Sequence, residues 1–210
     1  IQCFHYPKYF NFNNMTTKAE RTRQFILETA APIYNQKGIS GVSIDDILEA
    51  TQLTKGCIYG HFKGKDDLSE KVVEYSLDNM TAKINAVVSQ ETTAKAKINA
   101  FIDFYKNPIT TYISGGCPIF NTAVEADDNF PEIKKMVAAK FIAGQQALST
   151  ILQQGIEKGE FSSELNPARF AFKMFSAIEG GIIICRTIDS VQPMFELVND
   201  LKKELDQYSL

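Results

Sequence analysis

Apolar residues along this chain recur every three or four positions through most of its length, which is the period of a helix and not of a strand. Phe25, Ile26, Thr29, Ala30, Ile33 and Tyr34 form the first stripe. Thr17 and Glu20 open it in the T-x-x-E pattern of a capping box, and Lys37-Gly38 closes it. Ser43 with Asp46 repeats the capping pattern, and Ile44, Ile47 and Leu48 predict a short second helix ending near Thr51. After the turn at residues 51–53, Thr54 can cap a third helix in which Ile58 and Phe62 face inward. Two short helices across a three-residue turn make a helix-turn-helix. Beyond Gly64, Asp66 and Asp67 sit at the favourable amino end of a fourth helix with inward positions at 68, 72, 76, 77, 80 and 84.

The same pattern fills the rest of the chain. A fifth helix is expected from about Ala94 to Asn107, stopped by Pro108. Gly115-Gly116 marks a loop, and Pro118 suits the first turn of a sixth helix carrying Ile119, Phe120 and Val124. Asn129 and Pro131 begin a long seventh that reaches Lys158-Gly159, Asn166 and Pro167 begin an eighth, and Pro193 a ninth. The expectation is an all-α protein of about nine helices. A helix-turn-helix domain spans residues 15–65 and a helical bundle residues 66–210, without repeats or low-complexity tracts.

Composition narrows the function. A length of 210 residues suffices for one or two domains with a real core and needs no disulfide framework. Cys3, Cys57, Cys117 and Cys185 are widely spaced, with no C-x-x-C pair and two histidines to join them, so a reduced cytoplasmic setting is expected and a structural zinc site is not. The most apolar run, residues 180–185, is far short of the ~20 residues a membrane-spanning helix needs. Residues 1–14 are aromatic-rich and lack the charged start and apolar stretch of a signal peptide, and they are taken as an upstream or expression-derived leader ahead of Met15.

Charge separates the two parts of the chain. Residues 15–65 carry seven Lys or Arg against five acids, a balance of +2, whereas residues 66–210 carry fourteen against twenty, a balance of −6. A weakly basic head on an acidic body points to a polyanion that only the head meets. The third helix has the chemistry for one. Its outward residues Lys55, Gly56, Cys57, Tyr59 and His61 are polar and small at the amino end, as a helix needs if its first turn is to approach base edges in a major groove. Lys63 and Lys65 follow where flanking phosphates would lie.

Residues 17–68 resemble the DNA-binding head of the TetR family of one-component transcriptional regulators. The resemblance rests on Thr54, Lys55, Gly56, Tyr59, His61, Phe62, Lys65 and Leu68, which match the pattern T-K-G-x-x-Y-x-H/Y-F-x-x-K-x-x-L. Tyr34, Gly38, Ser43 and Ile47 stand for an upstream element with slightly loose spacing. It implies that Thr54 caps the recognition helix and that Lys55, Gly56, Cys57, Tyr59 and His61 contact double-stranded operator DNA, with Ser43 and Lys65 on phosphates. Cys57 departs from the small residue usual there. The resemblance also implies a homodimer that pairs its bodies through a four-helix bundle. Phe170, Ala177, Gly181 and Ile182 of the eighth helix and Met194, Val198, Leu201 and Leu205 of the ninth are the expected interface. Such a dimer spaces two recognition helices about 34 Å apart for a pseudo-palindromic site. The other reading is that these faces bury against their own chain.

The body is then expected to bind a small, largely apolar effector that releases the operator. Phe101, Phe104, Tyr105, Tyr112, Phe120, Phe141 and Ile178 are candidate lining, with Cys117, Asn121 and Met174 as polar or soft contacts. A coupling of ~1–3 kcal/mol would suffice for switching. No cofactor, metal or catalytic set is expected: His61 lies on the DNA face, His5 lies in the leader, and no phosphate-cradling glycine loop is present. The alternatives are a constitutive DNA-binding or protein-interaction module without effector and, further off, a helical enzyme.

Overall fold

The computed structural model describes residues 17–109 and 111–210, so the leader and Thr110 lie outside the described residues. Nine helices occur among them: α1 (Lys18–Gly41), α2 (Ile44–Thr51), α3 (Lys55–His61), α4 (Lys65–Val88), α5 (Ala94–Phe104), α6 (Pro118–Asn129), α7 (Pro131–Glu157), α8 (Pro167–Thr187) and α9 (Gln192–Asp206). No strand is present among the described residues, which hold one isolated bridge, between Phe161 and Ser209. The expected all-α architecture is the observed one.

Local chemistry sets most helix ends. The Thr17 and Ser43 capping boxes are both formed, and the Thr54 hydroxyl accepts the Cys57 N–H at 3.2 Å. Gln52 in the left-handed region turns the chain between α2 and α3. Gly38 leaves helical geometry at φ 76°, where the sequence closes the first stripe. Proline occupies the first turn of α6, α7, α8 and α9. α5 ends at Phe104, three residues short of the expected Asn107, because Pro108 disfavours helical geometry in the residue before it and the chain has already turned at Tyr105.

Ile26, Ala30, Ile47, Ile58, Phe62 and Leu68 close the core of the head. α4 then carries that core into the body, packing on α1 and also on α5, α6 and α7. A second joint fastens head to body. Glu125 of α6 accepts the Ile39 N–H at 2.6 Å through Oε2 and the Ser40 N–H at 2.7 Å through Oε1. Asn35 of α1 donates from Nδ2 to the Ser114 and Gly116 carbonyls at 2.9 and 3.1 Å. Asn121 of α6 donates to the Asn35 and Gly115 carbonyls at 3.2 and 2.9 Å. The backbones come so close that a Cβ on Gly115 would stand 2.6 Å from the Asn35 carbonyl oxygen.

The apolar faces of α8 and α9 expected to meet a second copy pack instead against the chain's own helices. Phe170, Ile182, Met194, Val198, Leu201 and Leu205 are all buried within this chain. A Cβ on Gly181 would lie 2.8 Å from Leu197 Cδ2 and 3.0 Å from Met194 Cε, so the small residues around Ala177 and Gly181 serve the close approach of α8 to α9. The apolar residues left exposed here are Phe172 at 65%, Ile184 at 56% and Ile183 on α8, away from its buried row, and Ile188 at 55% just past its end.

At Gly115, φ is +108° and the Asn35 carbonyl is in the way. Gly115→Ala is therefore expected to destabilise the protein by roughly 2 kcal/mol. Urea denaturation followed by far-UV circular dichroism measures this, and an unchanged midpoint would mean that the loop is not pinned against α1.

Candidate nucleic-acid interface and effector cavity

The recognition surface is built by capping and by one buried edge. Ile58 and Phe62 anchor α3 in the head core, and Arg23 stacks its guanidinium 5.3 Å from the Phe62 ring centre. Thr54, Lys55, Gly56 and Tyr59 are exposed, and Cys57 and His61 are half-buried. The Lys55 ammonium lies 5.9 Å from the Tyr59 ring centre, and no atom would approach a Cβ on Gly56 within 4 Å. The first turn of α3 therefore offers an open, flat approach. Lys65 opens α4, and the Lys63 N–H donates to Asp67 at 2.8 Å. None of Lys55, Lys63 and Lys65 is ion-paired among the described residues.

Ser43 differs from its neighbours. Its hydroxyl donates to Asp46 Oδ2 at 2.8 Å and accepts the Asp46 N–H, and its own N–H donates to the same carboxylate. Lys37, 2.5 Å from Asp46, together with the Ser43 N–H and hydroxyl, holds the Asp46 carboxyl well below the usual carboxylate range. Ser43 thus fixes the start of α2, with its polar groups engaged inside the capping box.

The body contains several partly open spaces of ligand size. A cavity of about 320 Å³ is bordered by Met80 and Ile84 of α4, Phe101 and Tyr105 at the α5 end, and Phe141 and Phe175 of α7 and α8. A second, of about 300 Å³, is lined by Phe104, Tyr105, Tyr112, Cys117 and Ile182, and the two share Met80 and Tyr105. An outer groove of about 400 Å³ runs between Phe120, Phe141, Phe172 and Phe175, with Glu179 in its lining. A cleft of about 420 Å³ lies at the joint of α1 with α6. Of the residues expected to line an effector site, Phe101, Phe104, Tyr105, Tyr112, Cys117 and Phe141 border the interior cavities, and Phe120 borders the groove and the cleft. Met174 and Ile178 do not: both are fully buried in the packing of α8 and border none of these spaces. Asn121 borders only the cleft, and its amide is committed to the joint between head and body.

Sequence reasoning did not single out Glu179, which is 2% exposed in the middle of α8. Its only signal was a lone acid in the apolar stretch from Ala177 to Cys185. Glu179 Oε1 accepts the Cys117 thiol at 3.1 Å, while Glu179 Oε2 and the Tyr105 hydroxyl have no hydrogen-bond partner among the described residues. Burial pushes the Glu179 carboxyl up to about 7, with the Cys117 hydrogen bond pulling the other way. Burial, with the neighbouring Glu179 carboxylate, also drives the Cys117 thiol well above its usual range, so it is present as a thiol and not as the reactive thiolate.

An open basic helix-turn-helix joined by one continuous helix to a body with ligand-sized cavities defines a two-part regulator of the DNA-binding class. Residues 26–72 match the model of bacterial regulatory proteins of the tetR family, and residues 94–200 match the tetracyclin repressor-like C-terminal domain. A solved TetR-family regulator from Cytophaga hutchinsonii shares 30% identity and superposes with a TM-score of 0.84 over 94% of this chain and 99% of that one. The transcriptional regulator TtgR of Pseudomonas putida is 24% identical over 198 residues, 90% of each chain. The regulator AcrR of Shigella flexneri is 41% identical over 63 residues, a match that spans 29% of that protein. The chain belongs to the TetR family of transcriptional regulators. No helix among the described residues is long and apolar enough to cross a membrane.

The raised carboxyl of Glu179 has a consequence for stability. The unfolded chain releases this proton near the ordinary value of 4.5, whereas the folded chain holds it to about 7. Between those values the unfolded state binds fewer protons, so stability falls as pH rises and levels off above 7. The loss amounts to about 3 kcal/mol from this one group. Glu179→Gln is expected to remove that fall. Urea denaturation of both proteins at pH 5 and pH 8 measures it, and equal pH slopes would contradict the burial of an uncompensated carboxyl.

Proposed function

We propose that the protein is a ligand-responsive repressor that binds a pseudo-palindromic operator as a homodimer and leaves it when a largely apolar small molecule occupies the body. The observation that carries this reading is the path of α4. It starts at Lys65 beside the recognition helix, and its Met80, Thr81 and Ile84 border the larger interior cavity. A molecule that changes the α4 position at that cavity acts on the same rigid element that sets the head. The joint of Glu125, Asn35 and Asn121 gives a second path through α6. If ligand and operator prefer different placements of these helices, each lowers affinity for the other by the same factor.

In this reading Thr54, Lys55, Gly56, Cys57, Tyr59 and His61 face the major groove, and Lys65 meets a phosphate. Residues 15–65 act as the head and residues 66–210 as the sensing and pairing body, in the cytoplasm. The exposed apolar residues Phe172, Ile183 and Ile184 of α8, with Ile188 at its end, form the surface on which two copies pair, since exposed apolar side chains concentrated on one element mark an interaction face. Selection of bound sequences from random duplexes tests the whole reading. Enrichment of an inverted repeat is expected, and recovery of unrelated sequences would overturn it.

Two substitutions separate the parts. Lys65→Ala is expected to weaken binding to all duplexes and to lower the slope of log affinity against log salt by about one per protomer. Fluorescence anisotropy across a salt series reads this, and an unchanged slope would remove Lys65 from the phosphate contacts. Ile184→Glu places a charge on a side chain that is already exposed within one chain, so folding should be retained. Sedimentation equilibrium should then show monomers and operator affinity should drop, whereas an intact dimer would move the pairing surface elsewhere.

A further inference from the structure

Glu179 is a costly residue to keep in the middle of α8. A buried carboxylate needs full hydrogen bonding or a counter-charge, and this one has a single weak thiol donor and an unpartnered oxygen. It has no ion-pair partner among the described residues. Its surroundings are aromatic. Phe120, Phe141, Phe172 and Phe175 wall the groove that Glu179 lines, and the Phe141 and Phe175 rings meet edge to face at 5.6 Å. Phe141 and Phe175 also border the larger interior cavity, and Cys117, bonded to Glu179, borders the smaller one. Glu179 therefore lines the outer groove, while its phenylalanine and thiol neighbours border the two other cavities.

We infer that this groove is a binding site for an organic cation: a molecule with an apolar body lodged between the phenylalanines and a protonated nitrogen set against Glu179 Oε2. A positive nitrogen satisfies the orphan oxygen with a charge-assisted hydrogen bond and meets the negative faces of the surrounding rings. A neutral ligand offers no counter-charge, and an anion meets repulsion from the ionised carboxyl and from the negative ring faces. Binding at neutral pH draws Glu179 toward its ionised form, so the carboxyl, only partly ionised in the empty site, supplies the full counter-charge once the cation arrives. Tyr105 borders both interior cavities, and its hydroxyl is likewise buried without a partner among the described residues. This assignment rests on the ligand-responsive reading above and gives it a ligand class.

Three probes with one apolar body and different heads decide it: 4-phenylbutylamine, 4-phenylbutanol and 4-phenylbutyrate, titrated calorimetrically into the full-length protein. The amine is expected to bind about ten- to hundredfold more tightly than the alcohol, and the carboxylate most weakly. Glu179→Gln, which keeps the shape and the acceptor for Cys117, should bring amine and alcohol to equal affinity while leaving alcohol binding intact. Equal or reversed preference in the unmodified protein overturns the inference whatever the variant does, as does a preference that survives in Glu179→Gln or failure of all three probes to bind. Operator release is followed separately by anisotropy on a selected duplex. An amine that binds with the expected preference but leaves operator affinity unchanged sinks the repressor reading and sustains the site. Release by a different ligand, with no amine preference, does the reverse.

Discussion

The contact between α1 and α6 is the constraint on which the arrangement of head and body depends. It leaves no slack, because two amides and one carboxylate exchange hydrogen bonds across it, one glycine lets the backbones touch and another makes room for the carboxylate. A Cβ on Gly115 would meet the Asn35 carbonyl, and a Cβ on Gly38 would stand 2.7 Å from Glu125 Oε2. Hydrogen bonds to a charged acceptor contribute about 1.5–3 kcal/mol each. Glu125 makes two, both to N–H groups that the break in α1 at Gly38 leaves without helical partners. A shift of α6 relative to α1 must either carry the head with it or forfeit these bonds. Close-packed joints of this kind move between discrete arrangements and do not deform continuously.

The same economy of contacts makes the buried acid conspicuous. Most of the body's interior is apolar or has its polar groups spent, as with Tyr112, whose hydroxyl donates to the Ser76 carbonyl at 3.3 Å. Of the few buried polar side chains with an atom left unpartnered among the described residues, Glu179 is the one acid, the others being the Tyr105 and Ser209 hydroxyls and the Asn99 side-chain carbonyl. Glu179 keeps an oxygen unsatisfied and loses stability above its unfolded pKa by doing so. A leucine of similar volume would remove that penalty. A polar group retained against its own folding cost marks a place where the folded protein is incomplete by itself, and the phenylalanines around it state what completes it.

Much of the fold was legible because it is written locally. Thr17, Ser43 and Thr54 announce helix starts through hydroxyls that reach three residues ahead, and the prolines at 118, 131 and 167 do so by lacking an N–H. The open face of α3 was legible for the same reason, since seven residues with one inward anchor at Ile58 and a second at the C-cap Phe62 leave little choice of which side points out. The sensing body was legible only in outline. Aromatic residues at helical spacing look alike whether they fill a core or border a cavity, so Phe101 and Tyr105 could be named but Met174 and Ile178 could not be excluded. Asn121 looked like a ligand contact because its partners, Asn35 and Gly115, are distant or unremarkable in sequence. Glu179 left almost no trace, because the meaning of a buried charge lies in neighbours brought from α6, α7 and α8 together.

The faces of α8 show how this ambiguity resolves physically. A helix with one apolar stripe has its orientation fixed by the pattern, but α8 is apolar on two sides, and periodicity alone cannot say which meets its own chain. Packing against α7 and α9 takes Phe170, Met174, Ile178, Ile182 and Cys185, the row at spacings of four and three that fits between neighbouring helices. Phe172, Ile183, Ile184 and Ile188 remain outside, and Glu179 lies within the same helix where the groove begins. Phe172 therefore belongs at once to the wall of the proposed cation site and to the strip on which a second copy would pair. A ligand that seats against this ring acts on the pairing surface directly, without a relay through the core. The spacing of two heads in such a dimer then depends on the occupancy of the groove as well as on α4 and on the joint of α1 with α6.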